Sequence, residues 1–284
     1  MTSLLNDNRI LKELINREEP FLISRLGIGA EPIVSYLVSQ NRPIPPLWVN
    51  RLRNPEGIYN LNTQNARRYS NEYFEAVKNS TYLAAWDKCD ITPIQDALIH
   101  QFSLDTMCTR ILEPFYVSLQ NNTPWSQSLK GKKVLIVNPF VKSMKSQWES
   151  NFTLFDDPAL QLFSKEQEFV WYKPYQCLQD NPPHSSWEET LDSMCEEISK
   201  LDFDIALVAC GGYGLPMCNY IYTKLNRSAI YVGGGLQLLF GVIGKRWDNR
   251  EIWVNFKKTR KLIRPSGDEI IDNFYKNVEG GSYW

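Results

Sequence analysis

Short apolar runs alternate with amphipathic stretches through the second half of the chain. Residues 133–137 and 205–209 are almost wholly apolar, which is typical of strands that are buried on both faces. Between them, residues 186–201 have apolar positions at helical spacing, with a serine suited to cap the helix and two glutamates in its first turn. Strands that alternate with helices predict an α/β protein with a Rossmann-like, mostly parallel sheet and helices on both faces.

The first half of the chain is richer in helical patterns. They predict helices over residues 4–17, 31–40, 63–78 and 93–101, with strands at 21–26 and 81–86. Prolines predict a loop at 44–46 and a turn at 54–57. A polar linker at 120–132 divides the chain into an N-terminal α/β half, 1–128, and a nucleotide-binding half, 129–284. One continuous domain is the alternative.

Composition narrows the class of protein. The chain has 284 residues, 43% of them hydrophobic, which is enough for a large core, and a net charge of −1. That charge argues against nucleic acid or an anionic membrane surface as a partner. No apolar run approaches the roughly 20 residues that span a bilayer. A polar N-terminus and six scattered cysteines predict a cytoplasmic protein with reduced thiols, and a homodimer is left open.

Two glycine-rich turns follow successive predicted strands. Glycine lets the backbone approach a ligand closely, and the amides at a helix start favour a phosphate. The spacing is not the dinucleotide-binding fingerprint, and tight packing of strand against helix is the alternative for each turn alone. Two such turns in succession favour contact with a phosphate. The residues are Gly211, Gly212, Tyr213 and Gly214 in the first turn, and Gly233, Gly234 and Gly235 in the second.

A basic and aromatic cluster, Lys245-Arg246-Trp247, lies just beyond the second turn. Arginine could hold a diphosphate as a two-pronged donor and lysine as a point charge. Trp247 could stack on a base or a sugar. Each residue alone fits a solvated loop better, whereas the group beside two glycine turns favours a ligand.

The turn after the first predicted strand is a third candidate. The strand ends at Arg25, Gly27 and Gly29 turn the chain, and Glu31 opens a helix. A carboxylate there could accept a proton or ligate a metal that carries phosphates. Favourable placement of an acidic residue at a helix start is the alternative, and spacing alone favours it.

Together these motifs resemble a group of bacterial and viral proteins found with polysaccharide-synthesis genes. The segment 21–31 resembles the Arg-Phe-Gly-Asp-Gly-Glu segment of GT-D-type glycosyltransferases, and the whole resemblance extends from about residue 21 to residue 284. It implies a transferase that moves a sugar from a nucleotide-diphosphate donor, UDP-sugar favoured, to a saccharide acceptor. It also implies help from a divalent cation, Mn2+ or Mg2+.

Arg25, Gly27 and Glu31 match the arginine, the first glycine and the glutamate of that segment. Ile28 stands at the family's aspartate, and one extra residue precedes Glu31. We therefore expect Glu31 and Arg25 to be catalytic, and Glu31 to bind the metal together with Asp87, with Asp90 as the alternative to Asp87. Two other classes stay open: a non-catalytic accessory protein that binds nucleotide or sugar phosphate, and a phosphosugar isomerase.

Overall fold

Seven short strands lie side by side in one parallel sheet in the computed structural model, which describes residues 4–177, 182–270 and 280–284. Their order is β3-β2-β1-β7-β6-β4-β5, and every neighbouring pair is parallel. The predicted Rossmann-like α/β fold is confirmed. The strands are β1 (Leu22–Ser24), β2 (Tyr82–Ala85), β3 (Thr106–Cys108), β4 (Lys133–Val137), β5 (Glu168–Tyr172), β6 (Ile205–Val208) and β7 (Ser228–Tyr231).

Helices cover both faces of this sheet. In the described part of the chain, none of them is long and apolar enough to cross a bilayer. The α-helices are α1 (Leu4–Asn16), α2 (Ala30–Ser39), α3 (Pro46–Arg53), α4 (Thr63–Lys78), α5 (Thr92–Phe102), α6 (Phe115–Ser118), α7 (Val141–Glu149), α8 (Trp187–Ser199), α9 (Gly214–Thr223) and α10 (Glu251–Thr259). The 3-10 helices are Thr109–Leu112, Trp125–Leu129, Pro158–Leu160, Gly211–Tyr213, Gly233–Phe240, Lys245–Trp247 and Gly267–Glu269.

The core consists of two apolar layers, one on each side of the sheet. In β4, Val134 and Ile136 pack into the layer that contains α1, α7 and α10. Leu135 and Val137 pack into the opposite layer, with α2, α4, α8 and α9. All four side chains are fully buried. Because both faces are covered, the strand is apolar at successive positions rather than at alternate ones, which is why its pattern predicts a buried strand.

The pairing of β1 with β7 joins the two predicted halves of the chain. Ile23 of β1 is in register with Ile230 of β7 on one side and with Tyr82 of β2 on the other. Residues 1–128 and 129–284 therefore contribute strands to the same sheet. The predicted linker contains Trp125, which is fully buried and donates from its indole nitrogen to the carbonyl of Ile111 at 2.7 Å.

Several elements were not predicted from the sequence, among them β3, α3, α6 and α10. β3 has only three residues, too few for a periodic pattern, and the carboxylate of Asp7 in α1 accepts a hydrogen bond from the Cys108 amide at 2.9 Å. α3 begins at Pro46, at the end of the predicted loop. Proline is favoured at the first position of a helix because its missing N–H would have no acceptor there.

The first turn of α7, the helix that follows β4, is capped by a carboxylate from a distant part of the chain. Glu269 is fully buried and accepts hydrogen bonds from the amides of Lys142 and Ser143, at 2.8 and 3.1 Å, and from the Ser143 hydroxyl. Its carbonyl accepts a hydrogen bond from the indole of Trp284 at 2.8 Å. A helix start of this kind is a common anion site, and here the protein's own carboxylate occupies it.

Replacing Glu269 with alanine should lower the free energy of unfolding by about 2–3 kcal/mol, since buried amides lose a charged acceptor. Asp268→Ala is the matched control, because its exposed ion pairs with Lys142 and Lys173 should contribute far less. Urea denaturation of both variants measures the difference. Similar losses for the two would contradict the assigned role of Glu269.

Candidate active site

The chain leaves two neighbouring strands, β1 and β7, toward opposite faces of the sheet. After β1 it enters α2, which packs in one apolar layer. After β7 it enters the 3-10 helix Gly233–Phe240, which packs in the other. In open parallel sheets, ligands bind at the carboxyl edge where neighbouring connections diverge in this way. The turn after β1 and the second glycine turn therefore meet at one place.

Arg25 lies at the centre of this region. Its guanidinium carbon is 5.4 Å from the ring centres of both Trp86 and Tyr231, which is within the range of a cation–π contact. A Cβ on Gly233 would collide with the guanidinium group, lying 2.6 Å from its central carbon. Gly233 also has a φ of +71°, in the left-handed region. The positive φ favours glycine at this position, and the lack of a side chain lets the guanidinium of Arg25 lie close to the backbone of the second turn.

Each of the three glycines in the second turn makes room for a different side chain. Gly233 is in contact with Arg25, Gly234 with the ring of Tyr283, and Gly235 with the carboxylate of Glu113. A Cβ on Gly235 would lie 2.8 Å from the Glu113 carboxyl carbon. The first amides of this 3-10 helix have no acceptor within the helix itself.

Two carboxylates share the space beside Gly29, the residue that precedes α2. Glu31 is only 3% exposed, and its Oε2 lies 2.9 Å from the place that a Cβ on Gly29 would take. The carboxylate of Glu56 contacts the same place. Both carboxylate oxygens of Glu31 lie 2.7 Å from the corresponding point on Gly27. Burying a carboxylate is costly, so stabilisation of the helix start does not by itself account for this placement.

The first glycine turn holds Glu56 in position through its backbone. The Gly212 amide donates to the carbonyl of Glu56 at 2.9 Å, and the Tyr213 hydroxyl donates to the carbonyl of Gly57 at 2.9 Å. A Cβ on Gly211, which has a φ of +57°, would lie 2.9 Å from the Glu56 carbonyl oxygen. This turn therefore lies at the site, but its Gly212 amide binds the protein's own backbone.

Tyr231, the last residue of β7, connects the two glycine turns. Its hydroxyl donates to the Gly211 carbonyl at 3.1 Å, and its ring lies in the space left open by Gly214 and next to Arg25. Burial raises the pKa of Tyr231 well above its ordinary value; Arg25 opposes this, whereas Glu31 acts in the same direction. The hydroxyl is therefore neutral and serves as a hydrogen-bond donor.

The basic cluster is connected to the second glycine turn through Tyr283, whose ring lies against Gly234 and under the Arg246 guanidinium. The amides of Lys245 and Arg246 donate to the carbonyls of Trp284 and Ser282, at 2.8 and 3.0 Å. The exposed Arg246 side chain stacks over the ring of Tyr283 at 4.8 Å. The ring of the partly buried Trp247 lies 5.3 Å from the same guanidinium and 6.0 Å from Tyr283.

The sequence pattern did not indicate Glu113 or Glu56 as residues of the site. Glu113 follows the 3-10 helix Thr109–Leu112 and precedes a proline, and no local pattern marks it. Burial raises the pKa of Glu113 above its ordinary value, while Arg25, Arg246 and Arg110 act in the opposite direction. The structure thus brings Arg25, from the turn after β1, and Arg246, from the basic cluster, toward the carboxylate of Glu113.

The carboxylate that lies with Glu31 is Glu56, whereas Asp87 and Asp90 are exposed after β2. Among the residues that the structure describes, no group of three or more His, Cys, Asp or Glu side chains could hold a metal ion. Mg2+ sites commonly use one or two carboxylates together with substrate phosphates. The pair Glu31 and Glu56 fits that type of site, and metal binding by Glu31 with Asp87 stays a prediction.

A surface cavity of about 340 Å³ lies elsewhere, between α4, α8 and α9. Its lining contains none of the predicted site residues, and burial raises the pKa of its thiol, Cys195, to about 12, so the thiolate form is scarce. Helix surfaces rather than strand ends form it. We therefore place the site at the sheet edge, where the protein's own side chains fill the space beside the glycines.

Comparisons of the chain with protein-family models, with curated proteins and with solved structures gave no match. The assignment of function therefore depends on the site itself.

Replacing Gly233 with alanine should destabilise the protein more than Gly131→Ala does. Both residues have positive φ, so each variant carries a backbone cost of about 1–2 kcal/mol. A Cβ on Gly131 meets nothing within 4 Å, whereas one on Gly233 meets the guanidinium of Arg25, whose packing against Trp86 and Tyr231 limits its movement, so we expect an added cost of about 1 kcal/mol. Urea denaturation tests this, and equal losses would show that Arg25 does not lie against Gly233.

Proposed function

We propose that the protein is a glycosyltransferase that moves a sugar from a nucleotide-diphosphate sugar, with UDP-sugar favoured, to a saccharide acceptor in polysaccharide synthesis in the cytoplasm. One observation carries the proposal: Arg25, the buried Glu31 and the second glycine turn meet where β1 and β7 end. A cation, backbone amides and a carboxylate at one sheet edge are the groups that this transfer needs.

The departing diphosphate needs positive charge in a fixed position. Arg25 is held between two aromatic rings and against Gly233, so its planar donor group is already oriented. Arg246 is exposed and adds a second guanidinium beside the same glycine turn. Oriented donors of this kind stabilise the charge that develops on the leaving group.

Transfer with inversion at the anomeric carbon needs a base for the acceptor hydroxyl. Glu31 takes the proton of the acceptor hydroxyl as its oxygen attacks the anomeric carbon. The bond from that carbon to the diphosphate oxygen breaks, and its electron pair leaves with the diphosphate. Glu56 beside Glu31 concentrates negative charge, which favours a proton or a cation between them. A bound divalent cation would neutralise charge on the diphosphate.

One observation favours the non-catalytic alternative, an accessory protein that binds nucleotide or sugar phosphate. Ile28 stands where the resembled glycosyltransferases have an aspartate, and its side chain is 55% exposed in the turn between Gly27 and Gly29. A chain that had lost transfer activity could retain the arginine and the glycines and lose this carboxylate.

Substituting Glu31 with glutamine should lower turnover of the donor by about 10²–10⁴-fold, as expected for loss of a general base. Release of UDP, GDP or TDP from a panel of sugar donors, with and without Mn2+, measures turnover. The melting temperature should stay near that of the wild type, and Glu75→Gln on the exposed face of α4 is the control. Tight nucleotide binding without turnover in the wild type would favour the accessory protein, and unfolding of Glu31→Gln would make Glu31 structural.

Removing the guanidinium of Arg246 with alanine should weaken binding of a nucleoside diphosphate by about tenfold, since a charge-assisted contact contributes roughly 1.5–3 kcal/mol. Binding of the nucleoside alone should change little. Calorimetric titration with UDP and with uridine tests this, with Arg9→Ala on the surface of α1 as the control. An equal loss for both ligands would show that Arg246 does not act on the phosphates.

A further inference from the structure

The carboxylate of Glu113 lies at the start of the same 3-10 helix whose first residue contacts Arg25. It stands against Gly235, two residues beyond Gly233. Amides at a helix start attract an anion, and the glycine at 235 leaves the room in which this carboxylate sits. The protein thus places an anion of its own beside the amides that our proposed function assigns to a phosphate.

Several cationic side chains act on the carboxylate of Glu113. Three arginines, Arg25, Arg246 and Arg110, act on this single carboxylate, together with the hydroxyl of Tyr116. A phosphate carries more negative charge than a carboxylate and offers more acceptor oxygens, so it matches this group of arginines better.

A comparison with Glu269 shows why another anion could replace the carboxylate of Glu113. Glu269 is fully buried, and two amides and a hydroxyl donate to its carboxylate, so it is a permanent cap of α7. Glu113 is partly exposed, and among the described residues no hydrogen bond holds its carboxylate. Burial also raises the pKa of Glu113, so its charged form is less favoured there than in water.

We propose that Glu113 is an internal competitor for the phosphate subsite: its carboxylate occupies the place beside Gly235, Arg25 and Arg246 that a phosphate of the donor takes, and it withdraws when the donor binds. This inference rests on the proposed function for the identity of the donor. Glu113 then controls the affinity of the protein for the diphosphate portion of the donor.

Calorimetric titration with inorganic pyrophosphate, UDP and uridine tests the inference on the full-length protein. Glu113→Gln should bind pyrophosphate and UDP at least about tenfold more tightly than the wild type, while binding of uridine stays unchanged. Glu113→Asp keeps the charge but shortens its reach, so it should give a smaller gain. Glu251→Gln, at an exposed position in the first turn of α10, should leave all three affinities unchanged.

The outcomes separate this inference from the proposed function. If UDP binds to the wild type and turnover is found, but Glu113→Gln binds UDP equally or more weakly, the inference fails alone. If Glu113→Gln binds pyrophosphate more tightly although no sugar donor turns over, the competition stands and the transferase proposal fails. If neither protein binds pyrophosphate or UDP, both are overturned. Unfolding of Glu113→Gln together with unchanged affinities for Glu113→Asp would also overturn the inference and make Glu113 structural.

Discussion

The pairing of β1 with β7 is the contact on which the rest of this structure depends. These strands come from opposite ends of the chain, and their parallel register sets the turn after β1 beside the second glycine turn. Parallel strands end at the same edge, while the connections leave toward opposite faces, so the two turns meet at the place where ligands bind in open parallel sheets. Arg25 and Gly233 meet there, and the side chains that surround them follow from that one alignment.

Close contacts between glycines and charged side chains are the main structural feature of the site. In the second turn, every glycine faces a guanidinium, an aromatic ring or a carboxylate of the protein itself. The carboxylates of Glu31 and Glu56 are likewise packed against Gly29. A site of this kind is organised before a ligand arrives, and it is also partly filled. In the proposed function, binding of the donor exchanges an internal carboxylate for a phosphate, and the 340 Å³ cavity between α4, α8 and α9 takes no part in it.

The fold could be predicted because local sequence patterns indicate it. These patterns are apolar runs, typical of strands buried on both faces, and stretches with apolar residues at helical spacing, typical of helices with one apolar side. The turns that carry Arg25 and Gly233 were equally visible, since glycines after a strand form a local signal. Glu113 and Glu56 could not be found in this way. Their partners, Gly235 and Gly29, are distant in sequence, and a single glutamate beside a proline carries no periodic or motif signal. β3 was missed because a three-residue strand is defined by its neighbours rather than by its own sequence.

A crystal structure of the protein with UDP and Mn2+ tests the central claim most directly. We expect the diphosphate to lie against residues 233–235 within hydrogen-bonding distance of Arg25, with Glu113 displaced and Glu31 facing the open side. A diphosphate bound in the cavity between α4, α8 and α9, or anywhere remote from the ends of β1 and β7, would contradict the account.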